Sequence, residues 1–203
     1  KLKAYGDQLY NKYLASPCFD RLKHANLYFD TYVKKRVKFI SSDLLQDNLG
    51  ISDEDLKELI ENVHVLFSFP DIGDPKSHLD EMIDMNVHVP LKLMALAKKL
   101  KKMQSFIHVS SLVSLYGIGE AEEKIYPYEF DAKTHLAETY VLYKQQKQVL
   151  VAFHSYPHKY VYTKRIAEIL LDKEKGDIPL TIIRSGFIGP CLRDPFPGWI
   201  GTT

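Results

Sequence analysis

The feature that most constrains this chain is a regular alternation of short apolar runs with longer amphipathic stretches. The nearly continuous apolar run at 63–69 (VHVLFSF) is typical of a strand buried on both faces, as strands of parallel sheets are. Residues 77–102 carry apolar side chains at helical spacing and predict one long helix. Strands that alternate with helices are joined by right-handed crossovers, so the sequence predicts an α/β fold with a doubly wound parallel sheet. The predicted strands are 37–40, 63–69, 106–109 and 180–183, and further helices are expected near 52–60, within 118–157 and at 159–173.

Polar or turn-forming residues follow each of the four predicted strands. In doubly wound sheets, ligands bind in the crevice beyond the carboxyl ends of the strands. We therefore expect the four strand ends to lie along one crevice. They are residues 42–43, 68–70, 110–111 and 184–186.

The strongest candidate for chemistry is the pair Tyr160 and Lys164. Residues four apart share a face of a helix, so the two side chains should project together. An ammonium group beside a phenol favours the phenolate, so Lys164 is expected to lower the pKa of Tyr160 from near 10 towards neutrality. Such a tyrosine can give a proton to a carbonyl oxygen during a reduction. Because this spacing also recurs by chance, an exposed pair on a surface helix is the alternative.

Two hydroxyl groups upstream strengthen the catalytic hypothesis. Ser110 and Ser111 directly follow the predicted strand at 106–109. A hydroxyl at this position can hydrogen-bond a reacting carbonyl oxygen, although serines at strand ends also commonly satisfy backbone groups. A strand with a terminal serine, then a helix with Tyr and Lys four apart, then another strand is the order typical of short-chain dehydrogenases.

The composition indicates an ordinary globular protein and argues against several other classes. A net charge of +1 gives no indication of a nucleic-acid partner. No apolar run approaches the roughly 20 residues of a membrane helix, so any membrane attachment is expected to come from segments outside this chain. Cys18 and Cys191 lie far apart without metal-ligand spacing, which predicts no metal site and a reducing, intracellular environment.

Several motifs together resemble one family, the fatty acyl-CoA reductases of the male-sterility type. The segment 194–200 (DPFPGWI) is nearly the family's EPFPGWI, and this is the most specific of the motifs. Residues 106–111 (FIHVSS) resemble FVHVST, and 160–168 (YVYTKRIAE) resemble YTYTKALAE. The resemblance extends over nearly the whole chain, with further similar segments at 16–22, 43–56 and 123–127.

This resemblance implies a Rossmann-like fold of the extended short-chain dehydrogenase type and a specific reaction. The reaction is the NADPH-dependent reduction of a long-chain fatty acyl-CoA through an aldehyde to a fatty alcohol. Tyr160 would donate the proton, Lys164 would lower its pKa and hold the nicotinamide ribose, and Ser111 would bind the carbonyl oxygen, with Ser110 as the fallback. Asn86 would support the active-site strand.

The resemblance also implies how the cofactor is held and where the protein acts. The chain is expected to be one partial NAD(P)-binding reductase domain over residues 1–203, with the family's first strands and glycine-rich turn expected to precede Lys1. Attachment to the peroxisomal or endoplasmic-reticulum membrane is the family expectation. The oligomeric state is not readable from the sequence. The cofactor would be bound by Asp43, Lys164, Ser185, Gly186 and Phe187.

Departures from the family pattern leave two alternatives open. Phe69 and Pro70 replace small residues of the turn after a strand, and Val89 replaces a glycine at a helix start. Because small residues let backbone approach a cofactor, these changes favour a non-catalytic binding or scaffold protein on the same fold. Another extended short-chain dehydrogenase, such as a nucleotide-sugar epimerase, is favoured by 115–117 (LYG) but opposed by 195–199 (PFPGW).

Overall fold

The computed structural model describes residue 12 and residues 14–127, 131–144 and 158–201. The chain divides into two compact units. The terminal unit comprises Lys1–Ser41 with Phe187–Thr203, and the central unit comprises Ser42–Gly186.

The central unit contains a parallel sheet of three strands in the order β1-β2-β3. They are β1 (Val65–Ser68), β2 (Ser105–Ser111) and β3 (Leu180–Ser185). Phe67 is paired with Ile107, and the last residues of β2 and β3 are paired with each other. All three strands were predicted from their apolar runs, and their carboxyl ends lie at one edge of the sheet.

Helices connect these strands as the alternating pattern predicted. The terminal unit has α1 (Asp20–Ala25) and α2 (Phe29–Lys34). In the central unit, α3 (Asp53–Asn62) begins at Ser52, whose hydroxyl caps the backbone N–H of Asp55 at 3.2 Å. The remaining helices are α4 (Leu79–Ile83), a π-helical turn (Asp84–His88), α5 (Val89–Ala97), α6 (Ala132–Lys144) and α7 (Lys159–Glu174), with short 3-10 helices at Pro17–Phe19, Asp47–Gly50 and Leu112–Leu115.

The core of the central unit lies between the sheet and helices α5 and α7. Phe106 of β2 is fully buried against Met94 and Ala97 of α5 and Leu171 of α7. Burial alternates along β2, so successive side chains point to opposite faces of the sheet. This packing holds the start of α7 close to the carboxyl end of β2.

One predicted strand is wrong. Residues 37–40 form no strand, and Val37 and Phe39 are 45% and 44% exposed. A strand needs a hydrogen-bonded neighbour, and the sheet of the described residues contains only β1, β2 and β3. Residues 42–43 are therefore not a strand end. Among the described residues, no helix is long and apolar enough to cross a membrane.

Candidate active site

Tyr160 and Lys164 lie in the first two turns of α7, where the helix passes the carboxyl end of β2. The Lys164 ammonium is 5.9 Å from the centre of the Tyr160 ring, so the two side chains share one face as predicted. Lys164 is 2% exposed and donates a hydrogen bond to the carbonyl oxygen of Val109 at 3.2 Å. The helix begins at His158, whose ring nitrogen accepts the backbone N–H of Tyr160 at 3.1 Å. This cap fixes the position of the tyrosine.

The structure separates the two serines that end β2. Ser110 is 3% exposed and donates its hydroxyl hydrogen bond to buried Glu168. Ser111 points to the other face, where its hydroxyl acts to lower the pKa of the Tyr160 phenol. The Ser111 oxygen also accepts the backbone N–H of Val113 at 3.4 Å. Ser111, and not Ser110, is therefore the serine that lies with the pair.

Asp71 is a member of the site that sequence reasoning missed. One carboxylate oxygen accepts a hydrogen bond from the Tyr160 hydroxyl at 3.2 Å, and the other lies 3.1 Å from the Lys164 ammonium. The Asp71 side chain is 44% exposed, whereas the lysine is buried. The available signal was an acidic residue immediately after the strand-end residues 68–70.

The predicted pKa of Tyr160 is wrong in direction. Burial raises the pKa of Tyr160 to about 12, and the charge and hydrogen bond of the Asp71 carboxylate act in the same direction. The Ser111 hydroxyl acts in the opposite direction. The ammonium of Lys164 is paired with the carboxylate, which offsets its positive charge at the phenol.

Asn86 connects the loop that carries Asp71 to the helix that carries Tyr160. Its side-chain oxygen accepts the backbone N–H of Ile72 at 2.7 Å, and its amide nitrogen donates to the Ile72 carbonyl at 3.0 Å. The same nitrogen donates to the Thr163 hydroxyl at 3.1 Å. Asn86 is fully buried in the π-helical turn, a feature often found at functional sites. It therefore supports a loop and a helix, and not the strand that the resemblance implied.

A buried ionic network lies behind Ser110. The Glu168 carboxylate, 3% exposed, accepts a bifurcated hydrogen bond from the Nε–H of Arg184, at 3.2 and 3.1 Å from its two oxygens, and a further one from Arg184 Nη2 at 2.8 Å. Ser114 also donates to Glu168 at 2.8 Å. These contacts join α7, β2, β3 and the 3-10 helix that follows β2. In the sequence, Glu168 is recognisable only as part of the family-like helix motif, and the pattern gives no sign of this network.

The predicted cofactor residues fall at three separate places in the chain. Ser185 ends β3 beside Ser111, with Gly186 next in the chain. Phe187 belongs to the terminal unit and is fully exposed. The Asp43 carboxylate accepts hydrogen bonds within its own loop, from Leu45 N at 3.1 Å and from Gln46 Nε2 at 2.9 Å.

The polar groups at the sheet edge fit the sugar and carboxamide end of a nicotinamide dinucleotide. The Lys164 ammonium and the hydroxyls of Ser111 and Ser185 are donors that suit ribose hydroxyls and a carboxamide. Phe69 is 66% exposed and stacks on Phe67, with ring centres 6.1 Å apart. No three potential metal ligands group together in the part of the chain that the structure describes.

A cavity of about 500 Å³ lies beside β3, and Leu112, the residue after Ser111, forms part of its lining. Charged residues form a large part of its wall, namely Glu122, Glu123, Lys124, Asp172 and Arg184. The other lining residues are apolar. They are Leu112, Leu115, Ala121, Ile125, Leu180 and Ile182.

Residues 3–203 match the model of the family described as male sterility protein. Fatty acyl-CoA reductase 2 of Bos taurus is 28% identical over 83% of this chain and 33% of the relative. Fatty acyl-CoA reductase 1 of Xenopus laevis is 32% identical over 82% of this chain and 33% of the relative. The chain thus spans about a third of the length of these curated relatives. The matches confirm the resemblance drawn from the motifs.

Two solved structures have a similar fold. The terminal R domain from the myxalamid PKS-NRPS biosynthetic pathway superposes with a TM-score of 0.57 at 17% identity, covering 79% of this chain and 36% of that one. The reductase (R) domain of a nonribosomal peptide synthetase from Mycobacterium tuberculosis gives 0.52 at 19% identity, covering 80% and 34%. These likenesses concern the fold alone, and they confirm the predicted α/β doubly wound sheet.

Proposed function

Because the chain belongs to the male sterility protein family, we propose that it is the catalytic part of a reductase that converts a fatty acyl-CoA to a fatty alcohol through an aldehyde, using NADPH. One observation carries this proposal beyond family membership. The phenol of Tyr160 has the buried ammonium of Lys164 and the hydroxyl of Ser111 beside it at the carboxyl end of β2. This is a proton donor with two further hydrogen-bond donors next to it.

In this mechanism the three side chains act on the carbonyl oxygen of the substrate. A reduced nicotinamide bound beside Lys164 would supply the hydride that reduces the carbonyl carbon. Ser111 and Tyr160 donate hydrogen bonds to the oxygen as negative charge develops there, and Tyr160 then transfers its proton. Lys164 stabilises the phenolate that remains. Collapse of the resulting thiohemiacetal releases coenzyme A, and a second round at the same residues reduces the aldehyde.

For cofactor binding we propose that Lys164 holds the nicotinamide ribose. Ser185, Gly186 and Phe187 would contact the nicotinamide end, and Asp43 would lie against the adenine. The preference for NADPH over NADH follows from the family resemblance alone.

A long-chain fatty acyl-CoA is the proposed substrate. The relatives above are named as fatty acyl-CoA reductases, and the apolar residues that line part of the cavity beside β3 suit an aliphatic chain. In the wider protein we propose that residues 1–203 form one NAD(P)-binding domain, and that the protein acts inside the cell at the peroxisomal or endoplasmic-reticulum membrane.

A second candidate function is that of a non-catalytic protein on the same fold. It is favoured by Asp71, whose carboxylate accepts hydrogen bonds from both Tyr160 and Lys164 and helps to raise the pKa of the phenol. Such a protein would keep the fold without turning over substrate.

The test is consumption of NADPH by the full-length protein in the presence of palmitoyl-CoA. The Tyr160→Phe variant removes the transferable proton, so we expect kcat to fall by roughly 10²- to 10⁴-fold. Tyr28→Phe is the matched control, because Tyr28 is 78% exposed in the terminal unit and should leave kcat unchanged. Full activity in Tyr160→Phe would refute the assigned proton donor. No consumption and no NADPH binding by the wild type would favour the non-catalytic protein.

A further inference from the structure

Asp71 stands in contact with both members of the proposed catalytic pair. Its two oxygens lie 3.2 Å from the Tyr160 hydroxyl and 3.1 Å from the Lys164 ammonium, so one carboxylate bridges the two groups. The following loop lies against the tyrosine, since a Cβ added to Gly73 would be 3.6 Å from the ring. Asn86 holds that loop through both backbone groups of Ile72. The bridge is therefore fixed by surrounding structure.

We propose that Asp71 is a positioning residue that keeps the transferable proton on Tyr160 and so suits the site to reduction. The inference rests on the proposed function for the reaction itself. A carboxylate that accepts the phenolic hydrogen bond stabilises the protonated phenol relative to the phenolate. Reduction requires the protonated phenol as its acid, whereas oxidation of an alcohol requires the phenolate as its base.

The charges around Tyr160 support a role for Asp71 in keeping the phenol protonated. From its own helix the phenol faces Lys164, and the helix cap His158 contacts its backbone. From β2 it faces the uncharged hydroxyl of Ser111, and from the loop after β1 it faces Asp71. Because the ammonium is paired with the carboxylate, the negative charge hydrogen-bonded to the phenol is the one that acts most directly on its proton.

The hydride and the proton come from two different donors. The reduced nicotinamide dinucleotide, as the hydride donor, is oxidised, and the carbonyl carbon is reduced. The O–H bond of Tyr160 breaks while an O–H bond to the carbonyl oxygen forms, which leaves the phenolate. Water then returns a proton to the phenolate, and Asp71, which is 44% exposed, accepts the renewed hydrogen bond.

The decisive experiment is a titration of Tyr160 in the protein without cofactor or substrate, followed by the ultraviolet absorbance of the phenolate. Subtracting the matching Tyr160→Phe protein assigns the signal. In Asp71→Asn, the Tyr160 phenolate should appear at least about one pH unit lower than in the wild type. Asp74→Asn is the matched control, because Asp74 lies in the same loop but its carboxylate caps Lys76 N at 2.9 Å. Its curve should coincide with that of the wild type.

Two results would overturn the inference: an unchanged Tyr160 midpoint in Asp71→Asn, or a wild-type midpoint at the ordinary value near 10. Circular dichroism checks folding, and Asp71→Ser replaces Asp71→Asn if the latter is unfolded. Reduction rates then complete the test, since the alkaline loss of kcat/KM should also begin at lower pH in Asp71→Asn. Absence of turnover with a shifted titration would refute only the proposed function, whereas turnover with an unshifted titration would refute only this role of Asp71.

Discussion

His108 lies on β2 under the start of α7 and shows how one buried residue links the site to stability. Its Nδ1 shares a hydrogen bond of 3.1 Å with Ser68, while its Nε2 is buried without a partner among the described residues. Burial lowers the pKa of His108 to about 3, and the positive charge of Lys164 lowers it further in the same direction. The folded protein therefore holds this imidazole neutral where an unfolded chain would protonate it.

We predict that this histidine makes the protein sensitive to acid. Its contribution to stability is complete above its unfolded pKa of 6.5 and is lost as the pH falls towards 3, at about 1.4 kcal/mol per pH unit. In urea denaturation followed across this range, His108→Gln should lose less stability with falling pH than the wild type. His24→Gln, at an exposed histidine, should follow the wild-type curve. Parallel curves for His108→Gln and wild type would contradict the prediction.

At the residue scale, local spacing was sufficient for part of the site and not for the rest. Tyr160 and Lys164 could be paired because the helical repeat brings residues four apart together. Asp71 could not be assigned to them, because its partners are distant in sequence and only the crossover between β1 and β2 brings that loop to α7. The raised pKa of Tyr160 has the same origin, since burial and Asp71 both depend on tertiary structure.

Helix α7 is tied to the sheet by the buried pair of Glu168 and Arg184. The three Arg–carboxylate contacts of 2.8 to 3.2 Å join the helix to β3, and Ser110 and Ser114 add contacts from β2 and the segment after it. A buried ion pair is not by itself strongly stabilising, but removing one partner leaves the other charge uncompensated.

Accordingly, Glu168→Ala should lower the free energy of unfolding by about 3–5 kcal/mol, as measured by urea denaturation. The double variant Glu168→Leu with Arg184→Met removes both charges, so it should be more stable than Glu168→Ala alone. A double variant as unstable as the single one would show that the uncompensated arginine is not the source of the loss. Lys133→Ala, which removes an exposed lysine 3.8 Å from Glu174, should change stability by less than about 0.5 kcal/mol.

At the element scale, long periodic segments were predicted well and the interruptions were not. The strands predicted at 63–69, 106–109 and 180–183 all formed, but only β2 has a strand on each side. The expected burial of the 63–69 run on both faces is wrong, because β1 lies at the edge of the sheet and Phe67 is 56% exposed. The long helix predicted at 77–102 extends from Leu79 to Ala97 and contains a π-helical turn. That turn gives Asn86 its contacts with Ile72 and Thr163, which a regular apolar repeat does not reveal.

On the scale of the whole molecule, the family match and the packing describe the chain differently. The family model covers residues 3–203 without interruption, whereas the contacts divide the chain into a central and a terminal unit. The expectation of one domain therefore stays a prediction. The chain has a single tryptophan, Trp199, which belongs to the terminal unit and can report on that unit alone.

We predict that the two units unfold in one cooperative transition, as a single domain requires. Leu171 is fully buried on α7 against Phe106, so Leu171→Ala should destabilise the central unit by about 2–5 kcal/mol. In urea, the fluorescence of Trp199 and the helical circular dichroism should then shift together to lower urea concentration. Leu27→Ala, at a leucine 96% exposed, should move neither midpoint. Leu171→Ala could instead move the circular dichroism midpoint and leave the fluorescence midpoint in place. The terminal unit would then unfold independently, because a defect in the core of the central unit can change the signal of Trp199 only if the two units unfold together.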